Sequence, residues 1–556
     1  MRALRPYAIT LLFFVSMHCA AQQTMPPVGG IRIAWDNGTL KKVSAAGGGG
    51  YARMIKLHDK SLICVYEAGG STVCVKSTDD GRTWSAQATV IAPRVEGVSM
   101  AVPDILELKD HSLLVGYNPR PGRGADTSKH FGIKTKKSYD GGLTWTDERT
   151  IYQADNKFDN GCWEPAAIQL PNGEIQLYFA NESPYRKSNE QEISMLRSTD
   201  GGLTWSATVA TSFRPRSRDG MPVPVLLNNG KEIVYAIEDN GFKNFKPYII
   251  RSNVANNWKA VVGASDVNRT YALSEKIPDS IYAGAPYLRQ LKTGETILSY
   301  QGTEGRINDM NHSEMKVVIG DDRAMNFNRK TVPFKLAADK SGLWNSLSVL
   351  DEYTVAALTS TNNYSTGRGG EVWMIQGQII PDLIAKKGKI DIDGLENERV
   401  WVNNMPIIIA QDGMTELETG FVFDDQCLYA FAQVSERPNA SSSIDIYIDP
   451  KNKNHTTIEK GVYKFNVSAD DKLAVYQGED GQWATQTATG IKWKAKKQVS
   501  AYVVEIAIPW ALLGGKPALN KRIGLNVALN ASDGYTENIS SNEADKPYTW
   551  CTLKLK

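Results

Sequence analysis

Ionisable side chains, carboxylates foremost among them, recur at matching places in a repeated pattern of this sequence. Six segments each hold an apolar strand, a short polar turn and a second apolar strand: 53–67, 103–118, 165–182, 222–239, 286–303 and 344–361. Tyr51, Arg53, Asp104, Trp163, Glu164, Arg218 and Asp219 stand at or near the starts of first strands. Glu67, Asn118, Glu182, Glu238, Asp239, Glu304 and Tyr364 stand near the ends of second strands, with Arg120 and Arg368 just beyond. In an antiparallel pair the start of one strand and the end of the next share an edge, so these groups converge. Like charges held close raise one another's pKa, which suits a proton donor at neutral pH. Two carboxylates flanking a scissile bond, with aromatic walls, are the working parts of glycoside hydrolysis.

The elements that must position them are repeated units. The pattern Ser-x-Asp-x-Gly-x-Thr-Trp occurs at 77–84, 138–145 and 198–205, with starts 61 and 60 residues apart. The six strand-turn-strand segments start 50, 62, 57, 64 and 58 residues apart. Such periods mark stacked supersecondary units. Six four-stranded units predict an all-β, six-bladed propeller. Either 31–35 or 41–44 would complete the last blade beside 372–380 and close the ring. The octapeptides would join third and fourth strands on the face away from the acidic groups, with a structural role. His58 and His111 fall in first-to-second-strand turns on that same remote face and read as solvated turn residues. The glycines at 47–50 precede a strand and no helix, which excludes a phosphate cradle.

With 556 residues the chain exceeds one compact core, so two domains are expected. Its formal net charge is +2 with both signs mixed throughout, which argues against nucleic acid or a membrane surface as partner. Arg2 and Arg5 precede an apolar run at 8–17 and then Cys19-Ala20-Ala21, the layout of a secretory signal cut after Ala21. The run is too short to remain as an integral membrane segment. Lipidation at Cys19 is the alternative, though His18 and Met17 fit such a site poorly. Export is therefore expected, to the periplasm or cell surface of a bacterium. Cys64 and Cys74 flank a Gly69-Gly70 turn and are either a disulfide or two buried thiols; Cys427 and Cys551 could pair, and Cys162 reads as a packed thiol. No cysteine spacing resembles a zinc site.

The octapeptides are Asp-boxes, and residues 30–380 resemble the Asp-box (BNR) propellers of the sialidase superfamily. Tyr51-Ala52-Arg53-Met54-Ile55, Trp163-Glu164-Pro165, Asp219-Gly220-Met221-Pro222-Val223 and Val234-Tyr235-Ala236-Ile237-Glu238 are similar to glycoside hydrolase family 93, exo-acting α-L-arabinanases. That resemblance implies a retaining mechanism with glutamates on neighbouring blades, here Glu164 and Glu238, about 5 Å apart. Which would be nucleophile and which acid/base stays open. Arg53, Asp104, Glu182 and Asp219 would then position hydroxyls or hold the acid's pKa, and Trp163 would wall the pocket.

Family 33, the sialidases, is the competing resemblance and implies an arginine triad, a Tyr–Glu nucleophile and an Asp acid/base. Arg53 sits where the first triad arginine belongs, although the Arg-Ile-Pro motif is here Arg-Met-Ile. Tyr364 and Arg368 could supply a tyrosine and another arginine. Glu182 and Glu238 end second strands where an anionic sugar would want arginines, which counts against that substrate. A third reading is a propeller that only binds, with Glu164 and Glu238 accepting hydrogen bonds from sugar hydroxyls.

From about Ile390 the repeats stop, after a short basic linker at 385–389. Alternating strand candidates follow at 418–423, 427–434, 443–448, 463–467, 501–508 and 522–528. Asp393-Gly394, Asp445-Ile446-Tyr447-Ile448-Asp449, Val504-Glu505-Ile506-Ala507-Ile508-Pro509-Trp510 and Ile523-Gly524-Leu525-Asn526-Val527 resemble the family 9 carbohydrate-binding modules, which are β-sandwiches. Trp483, Trp493 and Trp550 could stack on sugar rings or serve as core tryptophans. The resemblance admits a structural calcium, although no loop here is diagnostic; no organic cofactor or catalytic metal is implied. The expected organisation is a signal peptide at 1–21, a propeller at 28–383 and a sandwich at 390–556, acting as a monomer on oligosaccharide or polysaccharide.

Overall fold

Short alternating apolar runs bounded by Gly, Asn and Asp turns favour strands over helices. The computed structural model describes residues 31–556 apart from 46–47, 124–125, 242, 366–368, 382, 396, 402–406, 412–414, 454, 456, 488, 516, 519–520, 540–542 and 548–549. The expected signal peptide and Cys19 lie outside the described residues. Among those residues no helix is long and apolar enough to cross a membrane.

Six four-stranded antiparallel sheets form the blades, the first five built inside to outside in chain order. Their innermost strands are Gly50–Lys56, Val98–Glu107, Cys162–Gln169, Asp219–Leu226, Ala283–Gln290 and Leu343–Val349. Neighbouring inner strands pack side by side, the sixth against the first, which makes a closed ring. The outermost strand of blade six is Ile31–Lys42, paired antiparallel with Glu371–Pro381. The first sequence candidate for ring closure, 31–35, thus lies wholly in this strand and the second, 41–44, begins in its last two residues, after a register shift between Asp36 and Lys41. The core lies between blades: one cluster joins Met54, Leu62 and Tyr66 of blade one to Ala356, Val372 and Met374 of blade six.

The octapeptides join third to fourth strands as expected. In each, the Asp side chain accepts from the Thr backbone N–H at 2.9 Å, and the Trp indole donates to the carbonyl of the second Gly of the turn, or Gly81, at 3.0–3.2 Å. Lys56, at the far end of an inner strand, meets Asp80 at 3.0 Å, so the boxes share the face of the first-to-second-strand turns.

The second domain is a β-sandwich. Strands Thr415–Phe423, Cys427–Ser435, Tyr502–Pro509 and Lys492–Lys497 form one layer, and Cys551–Leu555, Arg522–Asn530, Ser443–Asp449, Tyr463–Ser468, Lys472–Glu479 and Gln482–Gln486 the other. Phe421, Phe431's neighbours Ala430 and Ala432, Ile446 and Val527 bury their side chains in one shared core. The lysines at 386 and 387 do not mark a linker. Leu383–Lys387 is a strand lying parallel to both Cys551–Leu555 and Thr415–Phe423, with Leu383 and Ala385 buried and both lysines exposed.

The two first cysteines do not face one another. Cys64 pairs with Val75 and Cys74 with Val65, a one-residue offset that sends their side chains into different inter-blade cores. Both are free thiols, as are Cys162 and Cys427. Cys427 and Cys551 pack in separate clusters of the sandwich.

Candidate active site

Every inner strand carries the same irregularity near its start. Gly50 pairs with Glu67 and Arg53 with Val65, so three steps on one strand oppose two on the other, a β-bulge. The same slip occurs at Ala101/Asp104, Trp163/Ala166, Gly220/Val223, Gly284/Tyr287 and Leu343/Ser346. The first bulged residue is left-handed in all six: Tyr51 (φ 55°), Val102 (44°), Glu164 (52°), Met221 (51°), Ala285 (46°) and Trp344 (54°). Such backbone costs about 1–3 kcal/mol for a residue other than glycine and persists only where the surroundings enforce it. Here it turns six side chains inward at one level of the ring, where Tyr51, Val102, Met221, Ala285 and Trp344 pack as a cluster. Glu164 is the single carboxylate among the six.

The bulged N–H groups need acceptors, and neighbouring blades supply them. Tyr51 donates to Ser360 Oγ (3.0 Å), Trp344 to Gln301 Oε1 (2.9 Å) and Ala285 to Glu238 Oε2 (2.7 Å). Ser360, Gln301 and Glu238 stand at one equivalent position, opposite the residue that precedes each bulge. Glu67 occupies that position in blade one and accepts from Val102. Blade three has Ala180 there, without an acceptor, and Glu164 itself takes the Met221 N–H.

A cavity of about 310 Å³ opens at this level, lined by Gly50, Tyr51, Glu67, Gly69, Val102, Arg120, Glu164 and Trp344. The Tyr51 and Trp344 rings lie 5.8 Å apart along one wall. Burial raises Glu238 to about 7, and the charge of Glu164 pushes the same way. Burial also raises Glu164, but the Arg120 guanidinium, 3.5 Å away, opposes it, as does the Met221 N–H. Glu67 is raised by burial and likewise opposed by Arg120. The Glu164 charge reaches Glu238, so the two glutamates share one electrostatic environment.

Of the two candidate catalytic glutamates only Glu164 is on the lining; Glu238 and the sequence-selected binding residues lie around the pocket. Arg53 is buried beneath it, its guanidinium between the Tyr51 and Tyr287 rings (4.1 and 4.6 Å), donating to the Ala52 and Trp344 carbonyls at 2.9 and 3.2 Å. Asp104 is buried and accepts from the Ala167 N–H at 3.1 Å. Trp163 donates to Glu182 Oε1 at 2.8 Å and carries Arg120 over its ring at 4.8 Å. Glu182 is also bonded to Arg218. Asp219 forms a buried two-pronged pair with Arg269 (2.6 and 2.9 Å), and Arg269 reaches Asp239 at 2.7 Å. Glu304 is paired with Lys330 at 2.9 Å. Tyr364 donates to the Lys335 carbonyl at 2.8 Å and packs on Trp373, apart from the pocket. Arg368 lies outside the described residues. Sequence reasoning placed Glu67 and Arg120 on this face without a role, and did not pick out Trp344 or Val102 as walls.

In the second domain Trp483 and Trp550 flank Tyr447 at 5.8 and 5.6 Å. Trp493 is elsewhere, packed on the sandwich core and donating to the Asp471 carbonyl at 3.3 Å.

Comparisons with known proteins agree with this architecture. The model of the carbohydrate family 9 binding domain-like family matches residues 411–552. The chain is similar to endo-1,4-beta-xylanase A of Thermoanaerobacterium saccharolyticum, 24% identical over 226 residues, which cover 38% of this chain and 17% of that protein. It thus spans less than a fifth of the length of that curated relative. Among solved structures it is similar to a Penicillium chrysogenum alpha-L-arabinanase complexed with arabinobiose, at 18% identity and a TM-score of 0.45, covering 64% of this chain and 99% of that one. It is also similar to a carbohydrate binding module family 9 from Caldicellulosiruptor kristjanssonii in complex with glucose, at 21% identity and a TM-score of 0.27, covering 32% of this chain and 95% of that one. The model of the BNR repeat-like domain family matches residues 63–351, just over half of the sequence, and the chain belongs to that family.

Proposed function

We propose that the chain is an exo-acting glycoside hydrolase that releases neutral sugars from the ends of arabinan-like glycans by a retaining, two-carboxylate mechanism. The observation that carries this reading is that two glutamates meet the same ring of bulges: Glu164 is itself a bulge residue on the pocket wall, and Glu238 accepts the Ala285 N–H of that ring. Burial raises both, and Arg120, 3.5 Å from Glu164, opposes the rise there. Arg120 favours ionised Glu164, which therefore acts as nucleophile at the anomeric carbon. Glu238, raised to about 7, holds a proton near neutrality and delivers it to the leaving oxygen, then takes one back from water. Glu67 and Arg120 bind hydroxyls, and Tyr51 and Trp344 wall the sugar.

A cavity of about 310 Å³ sits at the small end of the roughly 300–1,000 Å³ range of ligand sites, room for terminal sugars and not for a polymer running through. Two carboxylates and one arginine line it, a balance that favours a neutral sugar over a sialic acid. The sandwich domain would hold saccharide and keep the propeller on its substrate. The charged and apolar N-terminal stretch supports export to the periplasm or cell surface.

The test is purified protein incubated with arabinan oligosaccharides and, separately, sialyl-lactose, with the anomer of the first product read by NMR. Release of arabinose or arabinobiose with retained configuration supports the reading. An inverted product, free sialic acid, or binding without turnover overturns it.

A further inference from the structure

On the face remote from the pocket, successive blades bring two histidines and a glutamate together. The first-to-second-strand turns of blades one and two share a backbone: the N–H at Lys60 bonds the Leu57 carbonyl at 2.9 Å, and that at His111 bonds the Leu108 carbonyl at 2.9 Å. His58 is the second residue of its turn and His111 the fourth of the next, so they look unrelated in sequence. The fold stacks their rings 3.8 Å apart. Glu107, at the end of the second inner strand, lies with Oε1 2.5 Å from His58 Nδ1 and 3.6 Å from His111 Nδ1. The three ligand atoms all fall within 4.8 Å of one another.

The blade repeat shows what is unusual here. A backbone N–H in this turn bonds the side chain ending the next blade's inner strand: Lys109 to Gln169 at 2.8 Å, and Asn228 to Gln290 at 2.7 Å. In the first turn His58 N–H makes the same bond at 3.0 Å, but to Glu107. A neutral glutamine suffices for that bond in two other places. The charge at Glu107, and an imidazole on each side of it, are additions to the repeat.

We propose that His58, Glu107 and His111 form a site for a divalent transition ion of the zinc type, clipping blade one to blade two. Two imidazoles and a carboxylate suit Zn²⁺ and its borderline neighbours and not Ca²⁺, which takes oxygen ligands. Bond lengths near 2.0–2.2 Å in a tetrahedron set ligand atoms roughly 3.3 Å apart, inside the 2.5–4.8 Å span found here. Both histidines are more than half exposed, so their side chains are free to adjust and water completes the shell.

Tag-free full-length protein, stripped with EDTA and dialysed against Zn²⁺, tests this by metal content, calorimetry and thermal melting. Wild type is expected to hold one more equivalent of zinc than Glu107→Gln or His111→Ala, with affinity at least tenfold higher. Glu107→Gln keeps the turn bond, as Gln169 and Gln290 do, so its melting temperature without metal matches wild type. Zinc raises the melting temperature of wild type and of neither variant. If His111→Ala fails to fold, His58→Gln replaces it. Equal zinc content in wild type and Glu107→Gln, or none retained by wild type, overturns the proposal.

Discussion

Glu238 accepts the backbone N–H of Ala285, the left-handed bulge residue of the next blade, at 2.7 Å. One blade further on, Gln301 does the same for Trp344. A glutamine therefore satisfies this bond, and Glu238→Gln should fold as wild type while losing its transferable proton. Removal of a general acid lowers kcat about 10²–10⁴-fold. Steady-state kinetics on an arabinan oligosaccharide should show that loss, with the melting temperature at pH 4, where the carboxyl is protonated in both states, unchanged. Full turnover in the variant would remove Glu238 from the chemistry.

The pH profile follows from the same pair. Glu238 must be protonated, so kcat/KM is expected to fall as pH rises through about 7. Glu164 must be ionised, so activity also falls on the acid side, at a pH above the ordinary glutamate value because burial raises it. Arg120→Met takes away the positive charge that opposes this rise. The acid limb should then move toward neutrality and narrow the bell, while the alkaline limb stays near 7. An unmoved acid limb would mean that Glu164 is not the ionised partner.

Stability carries a linked signature. The folded pKa of Glu238 is raised from 4.5 to about 7, so the fold favours the neutral carboxyl. Its stabilising contribution is whole below pH 4.5 and lost as pH rises through 7. Glu238→Gln removes this dependence and should melt higher than wild type at pH 8, by up to about 3 kcal/mol, with no difference at pH 4. Equal melting temperatures at pH 8 would show that Glu238 is ionised without cost.

Glycine makes room for this carboxyl. A Cβ on Gly284 would lie 2.6 Å from Glu238 Oε2 and 2.5 Å from the Tyr282 hydroxyl, although the backbone there is unexceptional. Gly284→Ala must push the carboxyl away, and a displacement near 1 Å costs about 10²-fold in rate. Gly263→Ala, where a Cβ would meet nothing within 4 Å, is the control. Comparable kcat/KM for the two variants would show that the position of Glu238 is unimportant.

Much of this fold was legible because its repeats are. The octapeptides and the strand-turn-strand spacing carry the six blades, and the convergence of strand starts and ends carries the acidic face. What sequence periodicity does not give is register. Cys64 and Cys74 are symmetric about Gly69, yet the hairpin is centred between Gly69 and Gly70, and that half-residue puts them on opposite faces. The bulge was equally hidden, although Pro103, Pro165, Pro222 and Pro286 each follow a ring residue and mark its place. Alignment on those prolines would have set Glu164 apart and brought Trp344 into the pocket with Tyr51. Charge alone also misleads: Arg53 and Asp219 stand where substrate-binding groups would, but their partners are carbonyls and another buried ion.

Asp219 is where the sequence reading and the structure part most clearly, and one variant separates them. If Asp219 positioned a sugar hydroxyl, Asp219→Asn would raise KM and leave stability nearly intact. The structure instead ties Asp219 to Arg269, both without exposed side-chain surface, with Ser212 donating to the same carboxylate at 2.7 Å. Neutralising it leaves Asp239, at 2.7 Å, as the one carboxylate on Arg269, in a site where breaking one partner of a buried pair costs about 3–5 kcal/mol. The expected result is a lower melting temperature and denaturant midpoint, with KM of the protein that remains folded unchanged. A stable variant with a raised KM would return Asp219 to the substrate site.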